Sequence, residues 1–306
     1  MTGLILLSHG SLLCGSSETV RRHAERIQKS GEFDTVEIAF MNYSQPPLRE
    51  AVARCIEFGA TRIVVVPYLL VPGKFTLEDV PEQLALAKAA NPNVQFFAAD
   101  PVGFHPLLSN AVIELTHAAR PMSQWGMIAA AAGDQCAKSR RCPLNSEGGC
   151  TASELADQLS ADEVVHERPE IQAGDEKSAL LMIAHGSPRE EANKPILEVA
   201  GDIRAKGFFH DVSVAYLECN QPDIPDGLTM AHESGATRFI VFPYFLHAGK
   251  HVARDIPQLV KQWACLNRDN VLITDYLGQS EALTEVLKLR GIEALQQMEQ
   301  VNEVTR

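Results

Sequence analysis

The strongest constraint on this 306-residue sequence is an ungapped internal repeat with an offset of 176 residues. "SHGS" at 8–11 meets "AHGS" at 184–187, "QP" at 45–46 meets "QP" at 221–222, and "GATR" at 59–62 meets "GATR" at 235–238. In the same register "PYLLVPGKFTLEDVP" (67–81) meets "PYFLHAGKHVARDIP" (243–257), so that Asp79 falls on Asp255. A repeat of this length is one folding module written twice, and whatever fold one copy adopts the other must also accommodate.

Each copy alternates short apolar runs with helical patterns. In the first, "LILLS", "VEIAFM", "RIVVVPYLL" and "VQFFAA" read as strands. Between them lie helices from about 17 to 29, after "QPPL", after Leu77-Glu78-Asp79, and near 106–119. The second copy repeats the order with "ALLMIA", "VSVAYLE", "RFIVFPYFL" and "VLITDY", and ends in a helix to about residue 298. Continuous β-rich apolar runs separated by helices predict parallel strands covered on both faces. The expected fold is α/β: two tandem doubly wound, Rossmann-like parallel-sheet domains born of duplication. The expected boundaries are 1–120 for the first copy, 177–306 for the second, and 121–176 for an inserted cysteine-bearing element and linker.

Composition narrows the function. A formal charge of −12, from 27 Lys+Arg against 39 Asp+Glu, argues against a nucleic-acid partner, which requires clustered positive charge. It leaves room for an anionic small molecule held by the local field of a pocket. No apolar stretch approaches the roughly 20 residues that span a bilayer, and "MTGLILLSHG" reads as a buried first strand and not a signal peptide. No membrane association and a cytoplasmic location are therefore expected. An odd count of seven cysteines argues against a disulfide framework, and Cys55, Cys219 and Cys265 are expected as small buried hydrophobes within strands or helices. A homo-oligomer is compatible with all of this.

Ligands of doubly wound sheets bind at the carboxyl ends of the strands, near the point where strand order reverses. In the second copy three such ends carry polar groups: His185 after the first strand, Glu218 after the second and His251 after the third. Two imidazoles and a carboxylate suit zinc, iron, cobalt or nickel, and equally suit acid–base work. In the first copy the same register holds His9, Asn42 and Phe75. Phenylalanine ligates no metal and neutral asparagine replaces a carboxylate badly, so the chemistry is expected in the second copy. His247, four residues before His251, is a candidate helper or rim residue. Lys250, Arg189 and Arg254 share these loops and would suit carboxylates on a ligand. Ser187 beside His185 invites a nucleophile reading, but "GxSxG" is absent and sequence neighbours do not make a triad.

On "LLMIAHGS", "AYLECNQP" and "IVFPYFLHAGKHVARDIP", with their counterparts "LILLSHGS", "AFMNYSQP" and "IVVVPYLLVPGKFTLEDVP", the chain resembles the class II tetrapyrrole chelatases, specifically the sirohydrochlorin cobaltochelatases and ferrochelatases. The resemblance covers both copies and not 121–176. It implies a lyase that inserts a divalent metal, Co2+ or Fe2+ with Ni2+ as a further candidate, into a macrocycle for cobalamin or sirohaem biosynthesis. It further implies His185 and His251 as metal ligands, Glu218 as the carboxylate of some members, and a small-molecule tetrapyrrole as partner. Its acidic arms would meet Lys250 and Arg189, with Ser187 and His247 lining the substrate site. One departure stands out: many two-repeat members keep the intact histidine pair in the amino-terminal half, whereas here it lies in the carboxy-terminal half, as in the protohaem ferrochelatases and the anaerobic cobaltochelatase.

Some chelatases carry an iron–sulfur cluster, and Cys136, Cys142 and Cys150, spaced C-x5-C-x7-C, are the candidates for one here. Such a cluster normally takes four thiolates, the fourth coming from Cys14 or another chain. The rival to the enzyme reading is a non-catalytic metal or tetrapyrrole carrier that uses the same cleft.

Overall fold

The computed structural model of the chain describes residues 1–10, 16–121, 175–249, 251–267 and 270–304. Cys14, Lys250 and the cysteine-bearing stretch with Cys136, Cys142 and Cys150 lie outside the described residues. The chain divides into two compact units, one of residues 1–12, 16–107 and 281–306, the other of 13–15 and 108–280.

The first unit contains strands β1 (Thr2–Ser8), β2 (Thr35–Phe40), β3 (Arg62–Pro67) and β4 (Gln95–Ala98), all parallel, in the order β2-β1-β3-β4. Every residue of β1 is buried, which is what a central parallel strand with both faces covered requires. One face carries Ile5 and Leu7, packed with Ile63, Val65 and residues Leu48, Ala51, Val52 and Cys55 of helix α2 (Leu48–Glu57), and with Val80 and Leu84 of α3 (Val80–Ala90). Burial of each large aliphatic side chain contributes about 1.5–3 kcal/mol. Helix α1 (Ser16–Ser30) buries Val20, His23, Ala24 and Ile27 at the spacing of a single helical face.

The second unit continues from helix α4 (Pro106–Thr116) through β5 (Arg120–Pro121), β6 (Asp175–Ala184), α5 (Lys194–Ala205), β7 (Phe209–Tyr216), α6 (Ile224–Glu233), β8 (Arg238–Pro243), α7 (Ile256–Asn267) and β9 (Asn270–Ile273). Its sheet order is β5-β9-β8-β6-β7, parallel throughout except for the two-residue β5, which is antiparallel to β9. Leu181 and Ile183 of β6 pack with Phe239, Val241, Ile224, Leu228, Val252, Ile256, Val260 and Trp263, while Leu180 and Met182 on the opposite face are also buried. Helix α6 starts where Asp223 accepts a hydrogen bond from the Asp226 amide at 2.9 Å and Pro225 supplies the first turn.

The compact units are not coextensive with the two copies. The terminal helix α8 (Glu281–Val304) belongs to the first unit. There Thr284 Oγ1 meets His23 Nδ1 at 2.7 Å, and the Arg290 guanidinium donates to the carbonyls of Val102 and Phe104 at 3.0 and 2.9 Å. A side chain at Gly291 would stand 2.9 Å from Leu4 Cδ1 and Phe33 Cζ, so glycine sets how closely this helix approaches β1. From Leu108 onward α4 belongs to the second unit, where Lys206 Nζ donates to Asn110 Oδ1 at 2.9 Å. No helix among the described residues is long and apolar enough to cross a membrane.

Candidate metal centre

In the order β7-β6-β8-β9 the direction of winding reverses between β6 and β8, the place beyond whose carboxyl ends doubly wound sheets bind their ligands. His185 follows β6 and His251 follows β8, one on each side of that reversal; Glu218 follows β7. One ligating atom from each lies within 4.8 Å of the others. The two imidazole centroids are 5.1 Å apart, the rings nearly perpendicular. His185 and Glu218 are exposed and His251 is half-buried, so the group opens to solvent on one side.

Backbone contacts hold these loops together. The Glu218 amide donates to the His185 carbonyl at 2.9 Å, Leu217 donates to Ala184 at 3.0 Å, and Tyr216 donates to Pro222 at 3.0 Å, closing the turn that carries Glu218. Cys219 sits at its tip with φ +66°, and the Gln221–Pro222 peptide is cis. Gly186 has φ +91°, and a Cβ there would lie 1.9 Å from the Glu218 carbonyl oxygen. That close approach is the physical requirement behind the Gly of "HGS". Asn220 Oδ1 accepts from the Ser187 amide at 2.7 Å and ties the same two loops a second time.

The imidazoles are oriented by their Nδ1 atoms. His251 opens a π-helical turn (His251–Asp255), and its Nδ1 meets Asp255 Oδ2 at 2.9 Å. His185 Nδ1 meets the Gly186 carbonyl oxygen at 3.3 Å. A carboxylate and a carbonyl accept, so in the neutral form of each ring the proton sits on Nδ1 and Nε2 is the nitrogen that offers a lone pair. Turns of this π type are frequent at functional sites.

The first copy builds the same scaffold but keeps only one of the three donors, His9. The Asn42 amide donates to the His9 carbonyl at 2.9 Å, Tyr43 has φ +58°, and a Cβ on Gly10 would stand 1.8 Å from the Asn42 oxygen. There the π-helical turn Phe75–Asp79 presents a phenyl ring, which meets His9 edge-on at 4.3 Å.

The other candidate residues have surroundings of their own. Ser187 Oγ accepts from the Arg189 amide at 3.2 Å, a loop-shaping bond. Arg189 is exposed; His247 is half-buried and stands outside the three-residue group. Arg254, suited to ligand carboxylates or to a solvated loop, is exposed and bonds Asp255 Oδ1 through Nε at 2.9 Å. Cys219, expected as a buried thiol, is exposed, because the chain has left β7 and turned before reaching it; Cys55 is buried as expected. Burial pushes the Cys55 thiol up to about 12, with the Glu37 charge adding to it. Asp255 and Asn220 were not singled out as site residues. The available signal was the i, i+4 spacing of His251 and Asp255 in a turn that also repeats Asp79.

Several known proteins are similar to this chain in sequence or fold. The sirohydrochlorin ferrochelatase of Priestia megaterium is 21% identical over 94% of this chain and 88% of that protein. A sirohydrochlorin cobaltochelatase of Methanopyrus kandleri is 41% identical over 86 residues, 28% of this chain and 60% of that protein. Among solved structures, SirB from Bacillus subtilis with Fe3+ superposes with a TM-score of 0.69 at 17% identity, covering 96% of this chain and 95% of that one, which shows a shared fold. The CbiX family model matches residues 3–119 and again 179–294, so the duplicated chain belongs to the CbiX family.

Proposed function

We propose that this protein is a sirohydrochlorin chelatase, a lyase that inserts Co2+ or Fe2+ into the macrocycle. The observation that carries the proposal is the convergence of His185, Glu218 and His251 at the strand-order reversal of the second unit. The names of the relatives, sirohydrochlorin ferrochelatase and cobaltochelatase, supply the substrate class.

The reaction exchanges one metal ion for two pyrrole protons. His185 Nε2, His251 Nε2 and a Glu218 oxygen hold the incoming ion with two neutral donors and one negative one, leaving it a net positive charge and open positions for pyrrole nitrogens. As the metal passes to the macrocycle, each protein ligand it leaves regains a lone pair. The freed imidazole or carboxylate then accepts a pyrrole proton, so ligand release and deprotonation are two sides of one step. Exposed Arg189, with Lys250, orients the acidic arms of the substrate. The same N/O donors take cobalt, iron or nickel.

The test is to mix the purified chain with sirohydrochlorin and Co2+ or Fe2+ and follow macrocycle absorbance against the uncatalysed rate. Acceleration that is lost in His185→Ala and His251→Ala is the expected result. Saturable binding without acceleration by either metal would instead make the protein a carrier.

A further inference from the structure

We propose that Asp255 is the positioning residue of the metal centre, clamped so that it fixes both the tautomer and the direction of His251. The inference rests on the metal-binding reading of His185, Glu218 and His251 and adds a residue to it. Both oxygens of Asp255 are engaged: Oδ2 with His251 Nδ1 at 2.9 Å and Oδ1 with Arg254 Nε at 2.9 Å. A carboxylate held at both ends cannot rotate freely, and the imidazole bonded to it inherits that order. Its side chain is 23% exposed against 34% for His251, so the contact is partly shielded from competing water. The π-helical turn brings residues 251 and 255 onto one side of the chain, and the helix that follows, α7, holds the carboxylate end of the pair.

Three consequences for metal binding follow from this contact. In the neutral ring the bond would keep the proton on Nδ1, leave Nε2 as the lone-pair donor for an incoming ion, and let the adjacent carboxylate raise the electron density of the ring. Among the described residues His185 has no comparable partner: its Nδ1 meets the carbonyl of the next residue at 3.3 Å and its side chain is exposed. The centre therefore has one anchored histidine and one loosely supported one.

The first copy supplies an internal control. Asp79 stands in the register of Asp255, at the start of α3, but the residue four positions before it is Phe75, which offers no ring nitrogen. An acid at a helix start contributes to stability through the helix dipole in either copy. Only in the second copy can it also orient a ligand.

The experiment is a Co2+ titration of the full chain, read from the visible d–d bands, with thermal unfolding measured in parallel. Asp255→Ala is expected to weaken Co2+ binding by about 10–100-fold and to change the band shape; the isosteric Asp255→Asn is expected to cost about 10-fold. Asp79→Ala is expected to leave Co2+ affinity within about 2-fold, because it touches no ligand in either reading. Should Asp255→Ala misfold, Asp255→Asn carries the test. Affinity within 2-fold of the unmodified chain in the folded Asp255 variants, or an equal loss in Asp79→Ala, overturns the proposal. An unmodified chain that shows no saturable Co2+ signal, or a His251→Ala variant that binds as well as it does, refutes the metal centre itself and takes this inference with it.

Discussion

Gly186 offers the sharpest test of how the site is assembled. With φ +91° and an ideal Cβ 1.9 Å from the Glu218 carbonyl oxygen and 3.0 Å from Asn220 Oδ1, Gly186→Ala leaves no room for the loop as it stands. A carbon–oxygen contact needs about 3.3 Å, so the Glu218 backbone must retreat by about 1.4 Å or the Gly186 peptide must rotate. Either movement breaks the 2.9 Å bond from the Glu218 amide to the His185 carbonyl. The left-handed backbone adds strain of about 1–3 kcal/mol to the second unit. Displacement of a reacting group by about 1 Å costs on the order of 100-fold in rate, and we expect that loss in metal insertion and a matching fall in Co2+ affinity. Gly10→Ala is the matched control: its Cβ would lie 1.8 Å from the Asn42 oxygen, an equal clash in the copy that lacks the carboxylate and the second histidine. Both variants are expected to lower the unfolding midpoint, and only Gly186→Ala to lose Co2+. Unchanged Co2+ affinity in Gly186→Ala, or an equal loss in Gly10→Ala, would show that the loop-to-loop contact does not position the donors.

Further outcomes follow from the same geometry. Glu218→Asn with His251→Phe, which copies the donors of the first repeat into the second, should abolish saturable Co2+ binding while the circular dichroism of the fold is kept. The reverse change, Asn42→Glu with Phe75→His, places donors on a scaffold where Asp79 already occupies the orienting position; equilibrium dialysis should then count two Co2+ per chain in place of one. Asp275 is held above the usual carboxylate range by burial, with Arg120 opposing the shift. A raised folded-state value means that stability falls as pH rises from the ordinary aspartate range through the folded value. Asp275→Asn should therefore raise the unfolding midpoint at neutral pH, and the gain should vanish on acidification below the ordinary aspartate value. In peptide mapping after thiol labelling, Cys55 should stay unmodified at neutral pH until the chain is unfolded, since burial keeps it protonated and covered, whereas exposed Cys219 should react at once.

The duplication, the α/β class and the strand-helix alternation were all legible in the sequence, because each rests on local pattern: buried parallel strands must be continuously apolar, and a repeat must show itself in register. The copy that carries the polar donors was legible for the same reason. Asn42 and Phe75 differ from Glu218 and His251 at positions where everything around them is kept. Cys219 was misread because a residue just past a strand looks, in sequence, like part of it.

Tertiary structure alone decided the rest. The apolar stripe of α8 specifies that the helix must cover a sheet, not which one. Its place in the first unit is settled by His23, Leu4, Phe33 and the carbonyls of Val102 and Phe104, partners distant in the chain. Likewise, sequence shows three donors at three strand ends, but only the fold brings their ligating atoms within 4.8 Å. Asp255 reads as a helix start until the π-helical turn folds it back onto His251 Nδ1. Periodicity reports which face of an element is buried, and it carries no information about the partner across the interface. That partner is chosen by packing among groups far apart in sequence, and at this site by a turn that sets which nitrogen of His251 meets Asp255.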